Sequence, residues 1–187
     1  MAELTLNAPF IVSQQTWSHW CWAAVAQAVV AFYDQENVSQ CDIATAATGR
    51  FQLPAVDCCC FNDDNNPCNT RLEIDDVLDR LGGNPRVRSH SGASEAFDAS
   101  IANLSAEIAA NRPVVLRAVL PSGDGHFIGV SGVQIDDGTG AVTALLVSDP
   151  ATGEAPYWAQ LTGESIDLNS QGAVGTCECD YLFFTVA

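Results

Sequence analysis

The chain contains no lysine. Its seven basic residues are all arginine, set against 23 acidic ones, which leaves a formal net charge of −16. A nucleic-acid partner is excluded on that balance, because phosphate binding needs a basic face. The acidity suits solubility or a salt-tolerant surface, and its summed field also favours basic substrates. Missing lysine fits delivery into a ubiquitinating host and equally fits drift in a GC-rich genome. Histidine is scarce as well, with only His19, His90 and His126, so the pool of possible bases is small. No apolar run approaches the ~18 residues of a membrane helix; the longest, Cys21 to Tyr33, is broken by Gln27. No membrane partner is expected. Internal repeats, low-complexity segments and Pro/Gly-rich linkers are also lacking, and 187 residues fit one domain spanning 1–187. The Met-Ala-Glu start lacks the basic and apolar regions of a signal peptide, leaving a chain that stays in the cytoplasm or one whose leader has been replaced.

Cysteine, by contrast, is plentiful. Eight are present, and Cys41, Cys58, Cys59, Cys60 and Cys68 fall within 28 positions. Such density predicts a local disulfide staple and an oxidising compartment. With Cys21 set aside as a thiol, seven remain, so at least one more is unpaired. Zinc sites show C-x₂₋₄-C pairs or histidines at ligand spacing. The Cys58-Cys59-Cys60 triplet offers neither, so no metal is expected and disulfides are favoured over zinc, with reduced thiols the third option. Cys41 joined to one of the triplet and Cys68 to another would each close a loop of roughly 8–20 residues, contributing a few kcal/mol. Cys177 and Cys179 complete the candidates; pairing is not deducible from sequence.

Hydrophobic patterning predicts helices first and strands afterwards, an α+β fold with a helical half over about 13–111 and an antiparallel β half over about 112–187. Leu4 to Val12 is an extended arm. Cys21 to Asp34 (CWAAVAQAVVAFYD) is apolar almost all round, as a buried helix is, with Ser18 a candidate cap. Further helices are expected at Cys41 to Thr48, Leu72 to Leu81 (stopped by Gly82-Gly83) and Ser94 to Asn111. Strands are expected at Val114 to Leu120, Phe127 to Ile135, Ala141 to Val147 and Tyr181 to Val186, separated by turn signals such as SGDG and DDGTG.

Three residues carry candidate chemistry. Cys21 opens the first helix, where the helix dipole favours a thiolate; a buried structural cysteine is the plain alternative. His126 follows a glycine-rich turn and opens an apolar strand, which gives a base both precision and exposure. Asp149 ends a strand just before Pro150, where a carboxylate can hold an imidazole tautomer or simply form a turn. Gln15, or Gln14 if the register shifts by one, could turn its amide toward the oxygen of a tetrahedral intermediate, with the Cys21 N–H as second donor. His19 and Trp20, beside Cys21, and Gly125, beside His126, are candidate substrate-binding positions. His90 is expected at the surface. Trp17, Trp20 and Trp22 pack the helix start or shelter the imidazole–carboxylate pair.

Gln15-Thr-Trp-Ser-His-Trp-Cys21-Trp22-Ala-Ala resembles the active-site stretch of papain-clan cysteine peptidases, in which a Gln six residues before a Cys-Trp pair forms the oxyanion hole. Arg112-Pro113-Val-Val-Leu followed by Gly125-His126-Phe-Ile-Gly-Val is similar to the region that bears the clan's catalytic His. Val147-Ser-Asp149-Pro-Ala-Thr-Gly153 is similar to the Asp-Pro-x-x-Gly segment of bacteriocin-processing peptidases, and in effector peptidases of the clan an Asp likewise replaces papain's Asn. The resemblance covers about residues 8–34 and 112–153. It implies a papain-like fold, a Cys21–His126–Asp149 triad, a protein or peptide substrate, no cofactor, and a secreted or delivered bacterial effector or toxin with an inhibitor or immunity protein as a conceivable partner. Two departures stand out: the Cys-to-His spacing is shorter than the ~130–150 of papain and cathepsin chains, and the Cys-Gly-Ser-Cys-Trp stretch is absent, so papain's disulfide pattern does not carry over. Alternative readings are an acyltransferase, transglutaminase-like or amidase enzyme on the same fold, and a non-catalytic, disulfide-braced binding module.

Overall fold

The computed structural model describes residues 1–35, 37–50, 66–78, 87–91, 97–168 and 175–185. The Cys58–Cys60 triplet and the Gly82-Gly83 stop lie outside the described residues, as do the side chains of β2, His90 among them. The fold is α+β. Helices α1 (Cys21–Asp34), α2 (Gln40–Arg50), α3 (Ile74–Leu78) and α4 (Phe97–Ala109) accompany strands β1 (Ala2–Thr5), β2 (Val87–Ser91), β3 (Val114–Val119), β4 (Gly125–Ile135), β5 (Val142–Ser148), β6 (Tyr157–Thr162), β7 (Ser165–Asp167) and β8 (Thr176–Thr185). Among the described residues no helix is long and apolar enough to cross a membrane.

All strand pairings are antiparallel. The sheet runs β4-β3-β8-β7-β6-β5 and then returns to β4, closing a ring of six; β1 adds to β4 and β2 to β8. Closure depends on β4, which is long enough for three partners. Residues 125–130 pair with β3, 132–135 pair with β1, and the opposite edge pairs with β5 through two register shifts. Those bulges bend and twist the strand, as ring closure needs. Gly132 sits in the bent section, where a Cβ would lie 2.9 Å from the Leu4 carbonyl oxygen.

The strand period of two sorts side chains between two cores. In β3, Val114, Leu116 and Ala118 point into the ring, while Val115 points out toward the helices. In β4, Ile128 and Val130 point in and Phe127 out; in β8, Leu182 and Phe184 point in and Phe183 out. The inner core is extended by Leu104 and Ile108 of α4. The outer core packs α1, α2 and α3 on Val115, Phe127 and Phe183. α1 is alanine-rich because it is buried on nearly every side, and small side chains allow close approach. Gln27, the polar residue in its middle, is satisfied: Nε2 donates to the Val38 carbonyl (2.7 Å) and Oε1 accepts from Ser13 Oγ (2.8 Å).

The arm before α1 is tied along its length. Leu6 N donates to the Ser131 carbonyl and Gln15 N to the Pro150 carbonyl, each at 2.9 Å. Buried Gln40 donates to the Gln14 carbonyl (2.8 Å) and accepts from Thr16 N (2.9 Å). The expected Ser18 cap is corrected: the helix N-cap is Trp20, with no side-chain cap, and Ser18 Oγ instead accepts from Asn69 Nδ2 (3.1 Å). Ser18 stands two residues ahead of the N-cap position, too early to cap the helix.

Candidate active site

Cys21 is the first residue of α1. The first N–H groups of that helix, unmet by any capping side chain, form a partly positive environment at the cysteine. Opposite stands His126, the second residue of β4, paired in register with Ala118 of β3. Its parity is that of Ile128, so the ring is held at the mouth of the closed sheet and is buried.

Asp149 follows β5 directly. Because Gly129 stands opposite Ser148, the chain leaving β5 runs back toward the start of β4. Asp149 Oδ1 there meets His126 Nε2 at 2.7 Å and also accepts from Ala151 N at 2.8 Å. The carboxylate is fully buried, and its Oδ2 has no hydrogen-bond partner. The Asp149 carbonyl accepts from Gly153 N (3.0 Å), closing a DPATG turn. Gly153 is required twice over: its φ is +64°, and a Cβ would lie 2.8 Å from both N and Cα of Gln14. The turn that carries the carboxylate is therefore seated on the arm that leads to Cys21.

Nε2 is committed to Asp149, and Cys21 lies near enough to raise the imidazole pKa by hydrogen bonding and by attraction. Burial lowers the imidazole pKa, but hydrogen bonds to Asp149 and Cys21, together with the attraction of both groups, outweigh it and push the value up to about 9. A buried imidazolium between a carboxylate and a sulfur is the result. Cys21 and His126 line one cleft of about 280 Å³, with Trp22, Leu72, Leu120 and Phe127 supplying apolar wall and Arg71, Glu73, Arg117 and Asp124 the charges.

The sequence expectations fare unevenly. Cys21, His126 and Asp149 are brought together, and His19 and Gly125 line the cleft. Trp20 does not: it is fully buried and donates Nε1 to the Cys68 carbonyl at 2.8 Å, so its place among substrate-binding residues is withdrawn. Gln15 is also corrected. Its Nε2 donates to the Trp17 and Ser18 carbonyls at 3.0 and 2.8 Å, so both amide protons brace the approach to α1, and Gln15 does not line the cleft. Cys177 and Cys179 are free thiols, which removes them as disulfide candidates. They are two residues apart on one strand, both turned inward; parallel side chains at that separation cannot meet the short Cβ–Cβ distance of a disulfide. Burial, with help from Cys177 and Glu164, pushes the Cys179 thiol up to about 12. Cys41 and Cys68 are each engaged in a disulfide rather than free. Among the described residues no group of three or more His, Cys, Asp or Glu is placed to hold a metal ion.

Comparison with known proteins adds no constraint. No family model matches the chain, and no curated protein is significantly similar to it. The functional reading therefore rests on this geometry alone.

Several cleft residues carry no sequence signal. Arg117 of β3 lays its guanidinium over Gly125, where a Cβ would fall 2.5 Å from Nη2; it pairs with Asp180 and sits 5.9 Å from the Tyr181 ring centroid. Arg71 and Asp124 pair across 53 positions of sequence at 2.6 Å. The glycine of SGDGH was the one available hint, since only a residue without a side chain lets a guanidinium cover the strand ahead of His126.

Proposed function

We propose that this chain is a papain-like cysteine hydrolase that cleaves peptide or isopeptide bonds through a thioester on Cys21. One arrangement carries the reading: a cysteine at a helix start and an imidazole line the same cleft, and the imidazole nitrogen Nε2 is held 2.7 Å from a buried carboxylate. Nucleophile, base and orienter in that order are the requirement for acyl transfer.

In this scheme the Cys21 sulfur attacks the carbonyl carbon of the scissile amide. A C–S bond forms and the carbonyl electron pair moves to oxygen. The oxyanion is received by the main-chain N–H of Cys21 and its helix-end neighbours, since Gln15 is turned away. Collapse breaks the C–N bond as His126 hands its proton to the leaving amine. Neutral His126 then takes a proton from water, whose oxygen attacks the thioester; the carboxylic product leaves and sulfur and imidazolium are restored. Asp149 holds the ring and stabilises its charged form.

The decisive experiment compares newly formed protein termini in a complex proteome exposed to wild-type and Cys21→Ala protein. Termini present only with wild type are expected. Equal sets from both proteins would remove the hydrolase. Iodoacetamide near neutral pH separates the enzyme from a braced binding module: fast modification confined to Cys21 is expected, and a Cys21 as slow as the buried thiols overturns the reading.

A further inference from the structure

The two walls of the cleft come from different parts of the fold. One is the segment 66–73, fixed to the start of α1: Trp20 Nε1 donates to the Cys68 carbonyl, Trp22 Nε1 to the Thr70 carbonyl (2.9 Å), and His19 N to Asn69 Oδ1 (3.0 Å). The other is the tip of the β3–β4 hairpin, which leads straight into Gly125 and His126. That tip is a closed unit, with Leu120 N donating to the Asp124 carbonyl and Gly123 N to the Leu120 carbonyl, both at 2.8 Å. Gly123 has φ +85° and nothing within 4 Å of where a Cβ would stand, so no side chain packs on the tip at that point.

Across the gap, Arg71 Nη1 meets Asp124 Oδ1 at 2.6 Å, and both residues line the cleft. The other cleft arginine, Arg117, is engaged by Asp180. Asp124 also accepts from Ser122 Oγ at 3.2 Å and lies in the field of His19; the Arg71 hydrogen bond leads in holding its carboxyl below the usual range. The side chains are 60% and 42% exposed. An exposed pair of this kind is weak and salt-sensitive, which suits a contact that opens and closes.

We propose that the Arg71–Asp124 pair is a tie across the cleft that sets the size of acyl group able to reach Cys21. Closed, it keeps the cleft to compact or terminal substrate segments; open, it admits a folded or branched chain. Its bearing on substrates rests on Cys21 being the nucleophile, whereas the tie itself does not.

Two measurements separate these layers. Hydrogen exchange is followed at the amides of 66–73 and 120–125 in wild type, Asp124→Asn and Arg71→Gln, at low salt and at about 1 M NaCl, where charges are screened within ~3 Å. The variants are expected to exchange about two- to fivefold faster in both segments at low salt, with wild type joining them at high salt. Unchanged exchange overturns the tie. Labelling of Cys21 is then compared for iodoacetamide and a polymer-linked iodoacetamide, with sites assigned by mass spectrometry. The bulky-to-small rate ratio is expected to rise about two- to fivefold in both variants and, for wild type, with salt. A constant ratio beside altered exchange overturns the size selection. A Cys21 that resists iodoacetamide in every protein instead sinks the hydrolase, leaving exchange to decide the tie.

Discussion

At the scale of single residues, the site is governed by how each polar atom is satisfied. His126 has an acceptor on one side and a thiol on the other, and its pKa of about 9 follows from them. Removing the carboxylate charge takes away part of what offsets burial, which favours the neutral ring. The Asp149→Asn variant should therefore move the alkaline limb of kcat/KM, or of iodoacetamide labelling, from near 9 to lower pH by more than one unit. An unmoved limb would show that Asp149 does not set the charge of the base. Gln15 gives a second test. Loss of an oxyanion donor typically lowers kcat about 10²–10³-fold, but an amide that braces two carbonyls affects mainly the folded loop. Gln15→Ala is expected to lower kcat less than about tenfold while destabilising the protein by about 1 kcal/mol, read from kinetics and urea unfolding. The sequence revealed Gln15 at the right spacing. It did not reveal the Trp17 and Ser18 carbonyls, because those partners depend on the path of the loop.

At the scale of elements, legibility followed hydrophobic pattern. α1 was visible to the residue, since an apolar run of that length admits only a buried helix. β3 and β4 were visible because apolar residues face both cores, β5 because Leu145 and Val147 face the inner one, and their order places His126 near Asp149. Four strands escaped. β1 (AELT) and β2 (VRSHS) are too polar to announce themselves; they are strands because exposed edges of β4 and β8 receive them. β6 carries Tyr157, Trp158 and Leu161, a signal that went unread, and β7 is three residues long. The DPATG turn was read as a turn, but its seat on Gln14 was not. Gly153→Ala tests that seat. A positive φ and a backbone collision together should cost about 1–3 kcal/mol, measured by thermal or urea unfolding, with kcat falling as the carboxylate shifts. A variant as stable and active as wild type would show that the turn and the arm are independent.

At the scale of the whole molecule, the buried imidazolium ties stability to pH. Its folded pKa of about 9 lies above the ordinary 6.5, so the folded protein binds more protons than the unfolded chain between these values. The contribution is fully present below about pH 6.5 and is lost as pH rises through about 9. Wild type should lose melting temperature across that window relative to Asp149→Asn; parallel curves would contradict the assignment. The free thiols supply an independent probe of global unfolding. Cys177 and Cys179, buried and held protonated by burial, should resist an aromatic disulfide reagent at pH 8 until the fold opens, while Cys21 reacts in the native state. The cysteine count pointed to a local staple and at least one further unpaired thiol without saying which; only the inward direction of β8 shows why these two stay reduced.

The β4–β5 hairpin has a consequence for how activity arises during synthesis. Base and carboxylate lie within 24 consecutive residues that pair locally, whereas the sulfur comes from a helix 105 positions earlier. On the proposed chemistry, a nascent or partly unfolded chain thus holds two inert fragments of the centre, and any attack on a neighbouring polypeptide waits until α1 docks on the finished ring.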